Sequence, residues 1–530
     1  MTRTQDPEDR FGGDRPLSWY TTRPPDIPPP PKNRGAAPRR WIFDSLACLT
    51  LAWLMFSEAS REALYRPDYD FYSALPLNAS TLWALVLNMI LVAVAGVLLV
   101  YVLRCARRPH WFRFGAMLAA ATTIIGLNAV RTTYPALAGW TDALDVRLFV
   151  GVGGLIVTAA GVWPRHALRS VRGFAIVLSP LAVLTLVSAL WMFLEVARTQ
   201  PWRRVVPPPP LNATAPSLRR VVWMLFDDLD PRAAFEAQRA GLQLAELERF
   251  RSRALYADAA RSPARTVEAS VPGLVTGRRV VSVVPASADD LELRFADDKP
   301  ARWSAQPSVF SRARALGYNT ALIGWHLPYA RIFAGSLHAV HWWPSIAYDR
   351  TRATTFGEAF TRQWASLALP VHLRRLYAER LAAAGDLALR TATDGRFGLV
   401  LLHLPIPSLP GVYDPVNGRL TAWSFSGAEA EYLGNLELVD RFVGELRRGL
   451  ERGRLRDRTW IVLSSARSQS PADGRVPFLV QAPDGDAAHV DHAFEAGVTH
   501  DLVISILRGS IADTDDVVRW LARVPASRPH

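Results

Sequence analysis

Polar residues occur at the ends of several apolar stretches in the second half of this sequence, where they could act on a ligand. Asp227 and Asp228 follow "VVWMLF", His403 lies in "FGLVLLHL", and Arg467 follows "TWIVLSSA". In an open α/β sheet, ligands and catalytic groups gather at the carboxyl ends of the strands. The chemistry available there is that of carboxylates, an imidazole and a guanidinium. Arginine is a permanent cation that pairs with carboxylate, phosphate or sulfate groups.

Hydroxyl residues occur near a glycine turn in "SPARTVEASVPGLVTGRR", where Thr266 and Ser270 lie four positions apart. Thr and Asp are both common caps at the start of a helix. A capping role therefore accounts for Thr266, and for Asp227 and Asp228 at their strand–helix turn, as well as a role in a site does. Residue type alone leaves both interpretations open.

Buried strands alternate with helices after residue 218, and these elements must position the polar residues. The alternation predicts an α/β domain over 218–525, with a mainly parallel sheet and helices on both of its faces. Runs of β-branched and aromatic residues mark the strands, and apolar residues spaced three to four apart mark the helices. The predicted strands are "VVWMLFDD", "NTALIGW", "FGLVLLHL", "TWIVLSS" and "VPFLVQ", and the predicted helices are "GLQLAELERFRSRAL", "PSVFSRARALG" and "SGAEAEYLGNLELVDRFVGELRRGLERG".

Five apolar segments precede that domain and predict an α-helical transmembrane bundle of about five helices over 41–198. A helix needs about 20 apolar residues to cross the hydrocarbon. The second and fifth segments meet this length, and the other three are shorter. The segments are 41–56, 82–103, 114–130, 148–163 and 174–196.

The stretches on either side of the bundle are rich in proline. Residues 1–40 contain "PPDIPPPPKNRG" and cannot bury enough apolar surface to fold, so we predict a disordered cytoplasmic tail. Residues 199–217 contain four successive prolines, which predict a stiff, extended linker. We expect this linker to hold the following domain off the membrane surface.

Positive charge is concentrated in the membrane half. Residues 1–217 contain 22 Lys+Arg against 13 Asp+Glu, whereas the rest of the chain contains 39 against 35. Arginines cluster before the first segment and after the second and fourth, so the positive-inside rule places the N-terminus in the cytoplasm and the α/β domain outside it. The preference for arginine over lysine suggests a bacterial genome. We therefore predict a multi-pass protein of a bacterial inner (plasma) membrane that does not bind nucleic acid.

The order of these blocks resembles the sulfatase-like branch of the alkaline phosphatase superfamily. The resemblance covers residues 219–522, from "RRVVWMLFDDLD" through "VTHDLVISILRG" to "DDVVRWLA". In that family a Thr, Ser or modified Cys attacks a phosphate or sulfate ester, with help from a divalent metal. An Asp after the first strand and a late Asp-His pair hold the metal. The resemblance thus implies Asp227 and Asp228 as metal positions, with Zn, Mn, Mg or Ca as the metal.

Two of the family's positions for substrate chemistry are altered in this chain. The nucleophile position, three residues before Ser270, is Val267, although Thr266 is adjacent to it. In the proline-rich loop the first histidine, His403, is kept, and Ser408 replaces the second.

The late metal pair is altered as well, because it aligns with Ala466 and Arg467. Alanine has no donor atom, and arginine is itself a cation. We expect the Arg467 guanidinium to take the vacated metal position and to pair bidentately with Asp227.

These departures favour a sulfatase-like membrane protein that has lost catalysis, because such active sites work as a unit. It would act by binding or scaffolding at the cell envelope and would need no cofactor. Its expected partners are the lipid bilayer and an envelope glycan, lipid or enzyme.

The alternative is an active sulfatase-like or phosphoethanolamine-transferase-like enzyme. In that case Thr266 or Ser270 is the nucleophile, His403 contacts the transferring group, and a divalent metal (Zn, Mn, Mg or Ca) is required.

Overall fold

The computed structural model describes most of the chain, as a membrane part followed by an α/β domain. The predicted cytoplasmic tail lies outside the described residues, except for its last positions, which already belong to the first helix. The described residues are 36–64, 70–105, 108–133, 146–199, 207–215, 219–236, 242–296, 299–346, 348, 350–367, 370–422, 427–469, 473–483 and 485–525.

All five predicted membrane segments are helical, but in the described ranges only three of the helices are long and apolar enough to cross a membrane. These are α3 (Ala79–Cys105), α4 (Pro109–Thr133) and α6 (Pro164–Thr199). Helix α1 carries Arg39, Arg40 and Asp44, and α5 contains only a short apolar stretch. By length and composition, three of the described helices are therefore candidate membrane spans, and the number of about five stays a prediction. The helices are α1 (Ala36–Met55), α2 (Ser57–Leu64), α3 (Ala79–Cys105), α4 (Pro109–Thr133), α5 (Val146–Val162) and α6 (Pro164–Thr199).

The α/β domain is built on an eight-stranded sheet of order β13-β2-β12-β11-β1-β8-β6-β7. Seven strands run in one direction and β12 runs against them, so the predicted mainly parallel sheet is confirmed. The strands are β1 (Arg220–Asp227), β2 (Leu255–Ala257), β3 (Val280–Ser287), β4 (Asp290–Phe295), β5 (Ala301–Arg302), β6 (Thr320–Trp325), β7 (Ala339–Trp343), β8 (Leu399–Pro407), β9 (Tyr413–Asp414), β10 (Arg419–Leu420), β11 (Thr459–Ser465), β12 (Phe478–Gln481) and β13 (Ala488–Val490).

Helices cover both faces of this sheet, so its central strands are buried along their whole length. Every residue of β1, β8 and β11 is buried, which explains why these strands appear in the sequence as continuous apolar runs. One core packs under α8, α9 and α14 and the other under α7, α12 and α13. The helices are α7 (Ala245–Arg251), α8 (Val267–Thr276), α9 (Val309–Ala315), α10 (Tyr329–Ile332), α11 (Phe356–Ala365), α12 (Pro370–Ala392), α13 (Ala428–Arg452), α14 (Thr499–Arg508) and α15 (Thr514–Leu521).

The α/β domain packs directly on the membrane part, contrary to the prediction that the linker holds it away. Phe71 and Tyr72, from the segment between α2 and α3, are buried in the core of the α/β domain. Asn88 of α3 donates to Gln363 of α11 at 2.9 Å and accepts from Trp364 Nε1 at 2.8 Å. The described part of the linker is irregular and is bound to the α/β domain through Asn212.

A buried ion cluster completes this contact. The Arg352 side chain is 0% exposed, and its Nη1 lies 2.5 Å from Asp70 Oδ1. Its Nε lies 3.4 Å from Oε2 of Glu62, whose side chain is also 0% exposed. A buried arginine requires such partners, because an unpaired charge in the interior is costly.

Candidate functional site

The two aspartates after β1 point to different partners. Asp227 is the last residue of the strand, and Asp228 has a left-handed backbone with φ of 62°. Aspartate is one of the few residues that adopt this conformation readily. The Ser465 hydroxyl accepts from the Leu229 N–H, and the Tyr432 hydroxyl donates to the Asp228 carbonyl. These bonds hold the turn that separates the two carboxylates.

Asp227 ends a buried chain of hydrogen bonds. His403 is fully buried on the neighbouring strand β8, and its Nε2 lies 3.0 Å from Asp227 Oδ1. The Tyr329 hydroxyl lies 2.6 Å from His403 Nδ1. Burial, followed by the charge of Asp227, raises the pKa of Tyr329 well above its ordinary value. The hydroxyl therefore stays protonated and donates a hydrogen bond to the imidazole. Both ring nitrogens of His403 are occupied within the protein.

Asp228 is bound by two of the residues that depart from the family pattern. Arg467 Nη2 lies 2.6 Å from Asp228 Oδ2, and the Ser408 hydroxyl donates to the same oxygen at 2.7 Å. Burial raises the pKa of Asp228, and the Arg467 charge and the Ser408 hydrogen bond only partly offset this effect. The expected partner of Arg467 is thus corrected from Asp227 to Asp228, and its bond involves one nitrogen instead of two. The reason is that His403 already holds Asp227.

The three candidates on the following segment occupy different environments. Val267 is the first residue of α8 and lines the cleft described below. Thr266 is the N-cap and is exposed, but its side chain makes no cap hydrogen bond. Instead, its hydroxyl helps to lower the pKa of the Glu268 carboxyl. Ser270 is 0% exposed, and its hydroxyl lies 3.3 Å from that of Ser262. Of the two predicted nucleophiles, Thr266 therefore lines the cleft and Ser270 does not.

An ion pair between Glu268 and His326 adds to the cleft. Glu268 has no local signal in the sequence, because an acid in the first turn of a helix is common. His326 Nε2 lies 2.8 Å from Glu268 Oε1. Burial alone would raise the pKa of Glu268, but the hydrogen bond and charge of His326, with smaller backbone and Thr266 bonds, lower it to about 2. The His326 ring stacks on Tyr72 of the membrane part, with centroids 4.8 Å apart.

Two hollows meet at Arg467. The cleft, of about 280 Å³, lies at the carboxyl ends of β1, β6 and β8. A second hollow of about 390 Å³, here called the arginine pocket, lies on the other side of the guanidinium. The cleft is lined by residues that include Asp227, Thr266, Val267, Glu268, His326, Tyr377, Ser408 and Arg467. The arginine pocket is lined by Asp228, Arg261, Ser262, Ala264, Arg265, Arg467, Ser468, Gln469, Asp473 and Gly474.

The side chains at this edge do not fit the divalent metal that the resemblance implies. Ala466 is fully buried and offers no donor, and the Arg467 guanidinium contacts the carboxylate that would bind the cation. Within the described ranges, no three His, Cys, Asp or Glu side chains lie close enough together to hold a metal ion. The charge that balances Asp228 is therefore carried by the protein itself.

Neither a protein-family model nor a curated protein matches this sequence. Solved structures that it is similar to include PsFucS1 sulfatase from Pseudoalteromonas sp., at 14% identity over 55% of this chain and 67% of that one, with a TM-score of 0.40. Phosphonate monoester hydrolase SpPMH from Silicibacter pomeroyi is 16% identical over 55% and 73%, with a TM-score of 0.37. A protein in the alkaline phosphatase superfamily from Vibrio parahaemolyticus is 10% identical over 59% and 74%, with a TM-score of 0.36.

Similarity at this level transfers neither an activity nor a ligand. The fold assignment rests on the strand order and on the residues at the strand ends.

Proposed function

We propose that this chain is a membrane-anchored protein of sulfatase-like fold that binds an anionic ester, of sulfate or phosphate, without turning it over. The observation that carries the proposal is the contact of Arg467 with Asp228 at 2.6 Å. In the related enzymes a metal ion in this region neutralises the charge of the substrate. An arginine in its place retains positive charge for binding but cannot activate a nucleophile.

The arginine pocket supplies the other binding groups. Arg265 is exposed, and among the described residues it has no ion-pair or hydrogen-bond partner. The Nε atoms of Arg261 and Arg467 are buried and have no acceptor in the described part of the chain. The two acids that line the pocket are already engaged, Asp228 by Arg467 and Asp473 by Arg232. A volume of about 390 Å³ lies within the usual range for small-ligand sites.

The alternative, an active enzyme with Thr266 as nucleophile, is favoured by the exposure of this residue and by its effect on the pKa of the nearby Glu268 carboxyl. A general base works best when its pKa lies near the working pH. Glu268, with a pKa of about 2, is a weak base at neutral pH. This carboxylate therefore supports binding more than it supports activation of Thr266.

The test uses the full chain in detergent or nanodiscs with para-nitrophenyl sulfate and para-nitrophenyl phosphate as probes, measuring binding by calorimetry and turnover by absorbance. We expect one or both probes to bind, Arg265→Gln and Arg467→Gln each to weaken binding about tenfold, and no turnover with added Mn, Zn, Mg or Ca. The control is Arg375→Gln, an exposed arginine on α12.

Two results would overturn the proposal. If neither probe binds, or if Arg375→Gln weakens binding as much as the pocket variants do, the arginine pocket is not an anion site. Turnover that a chelator abolishes and Thr266→Ala removes would establish the enzyme alternative instead.

A further inference from the structure

A third hollow lies at the end of the membrane helices that is farthest from the α/β domain. Helix α3 contacts the α/β domain near its start, through Thr81 and Asn88. Its 27 residues extend about 40 Å, so its last residues lie at the opposite boundary of a bilayer. There Arg108 and the start of α4 lie beside the end of α5 and the start of α6, and these residues enclose about 680 Å³. We call this hollow the distal pocket.

The distal pocket combines positive charge with an apolar wall. Its lining contains three arginines and a histidine and no acidic residue. The four basic side chains are exposed, and within the described ranges none of them has an ion-pair or hydrogen-bond partner. The remaining walls are apolar, and Trp163 is 62% exposed. The full lining is Leu103, Arg108, Pro109, Phe112, Arg113, Val162, Trp163, Pro164, Arg165 and His166.

Among the described residues, no neighbouring acid is left to balance the charge at this end of the bundle. The nearby acid of α1, Asp44, is already paired with Arg104 at 2.6 Å and with Arg172 at 3.3 Å. The arginines of the distal pocket are therefore available to an external anion. Arginines that only set the orientation of a protein in the membrane need no enclosed space. The arginines here line a pocket together with apolar residues.

We propose that the distal pocket binds the headgroup of an anionic phospholipid of the adjacent leaflet. Basic pockets between membrane helices are suited to anionic headgroups, because phosphate oxygens accept from arginine while the acyl chains stay against apolar residues. Three arginines exceed the need of one phosphodiester, so a lipid with two phosphates should bind most tightly. This inference is independent of the proposed function, since it involves neither the cleft nor the arginine pocket.

The test is native mass spectrometry of the full chain in detergent with added diphosphatidylglycerol, phosphatidylglycerol or phosphatidylcholine. We expect binding to decrease in that order. The double variant Arg113→Gln/Arg165→Gln should weaken diphosphatidylglycerol binding about thirtyfold, because each arginine near a membrane surface contributes a factor of about five. Arg169→Gln, which removes one positive charge one turn along α6 from Arg165 but outside the pocket, should change binding less than about twofold.

Each contrary outcome is distinct. Equal binding of phosphatidylcholine by the unaltered chain would overturn the proposal even if the double variant failed to fold. A loss of about fivefold in Arg169→Gln, the factor expected of each pocket arginine, would show a general charge effect and no site. Displacement of the lipid by inorganic phosphate would identify a free-phosphate site instead.

Discussion

Two arginine–carboxylate contacts from different regions of this molecule differ mainly in exposure. Arg352, between the membrane part and the α/β domain, has a side chain that is 0% exposed and contacts Glu62 and Asp70. Arg467, between the cleft and the arginine pocket, is 39% exposed and contacts Asp228. A buried arginine is committed to its partners, whereas a half-exposed one retains donors for an external anion. The first contact therefore serves stability, and the second is available for binding.

The largest expected effect comes from the buried contact. Arg352→Met should lower the free energy of unfolding by about 3–5 kcal/mol, because it leaves two buried carboxylates without their counter-charge. Thermal unfolding of the full chain in detergent measures this, with Arg375→Met as an exposed control. A loss below about 1 kcal/mol would mean that the cluster is hydrated and would remove the contrast with Arg467.

An intermediate effect is expected at the ion pair of the cleft, where the Glu268 side chain is 30% exposed. Its pKa is lowered to about 2 from 4.5, so the pair contributes stability above pH 4.5 that is lost as the pH falls through about 2. Glu268→Gln should cost about 1–2 kcal/mol at pH 7, after allowance for solvent screening. The cost should shrink as the pH falls below 4.5.

Unfolding midpoints of Glu268→Gln and of the unaltered chain, measured between pH 7 and pH 3, test this expectation. Glu379→Gln is the control, because that side chain is 66% exposed. A cost that does not change with pH would assign the effect of Glu268→Gln to packing.

The smallest effect on stability is expected for Arg467→Gln, at less than about 1 kcal/mol at pH 7. Arg467 lowers the pKa of Asp228, which burial raises, and the variant should therefore raise it further. A carboxyl whose pKa is raised in the folded state does not destabilise the protein below its unfolded pKa of about 4. It destabilises the folded state as the pH rises through its folded pKa. The destabilisation should thus disappear near pH 3, as measured by unfolding midpoints at pH 3 and pH 7.

If Arg467→Gln has this small effect on stability and a tenfold effect on binding, Arg467 serves binding, whereas Arg352 serves stability. A loss of several kcal/mol in Arg467→Gln would instead make Arg467 a structural residue like Arg352.

Much of the α/β domain could be predicted from the sequence, because its strands are buried on both faces and appear as continuous apolar runs. All five predicted strands are present, and the predicted helices correspond to α7, α9 and α13. The placement of Asp227 and Asp228 at the sheet edge followed from strand ends alone. The small sheet of β3, β4 and β5 has mixed burial, so its strands give a weaker pattern.

The partners in the site could not be predicted in the same way. Which aspartate Arg467 contacts depends on the left-handed turn at Asp228 and on His403, and neither is a local property of the sequence. Glu268 becomes part of the cleft only because His326 reaches it from the end of β6. The contact of the membrane part with the α/β domain was predicted wrongly, because the prolines of 199–217 indicate the stiffness of a linker and not its path.

The insertion of Phe71 and Tyr72 into the α/β domain has a consequence for how the chain can be divided. A fragment that begins at the prolines of 199–217 would lack the rings of Phe71 and Tyr72 and would leave their sites in the core empty. The face of His326 that Tyr72 covers would then be exposed to water. The segment between α2 and α3 is thus also part of the core of the α/β domain. Exchanging the membrane part for an unrelated hydrophobic helix would keep the protein at the membrane and still leave that core incomplete.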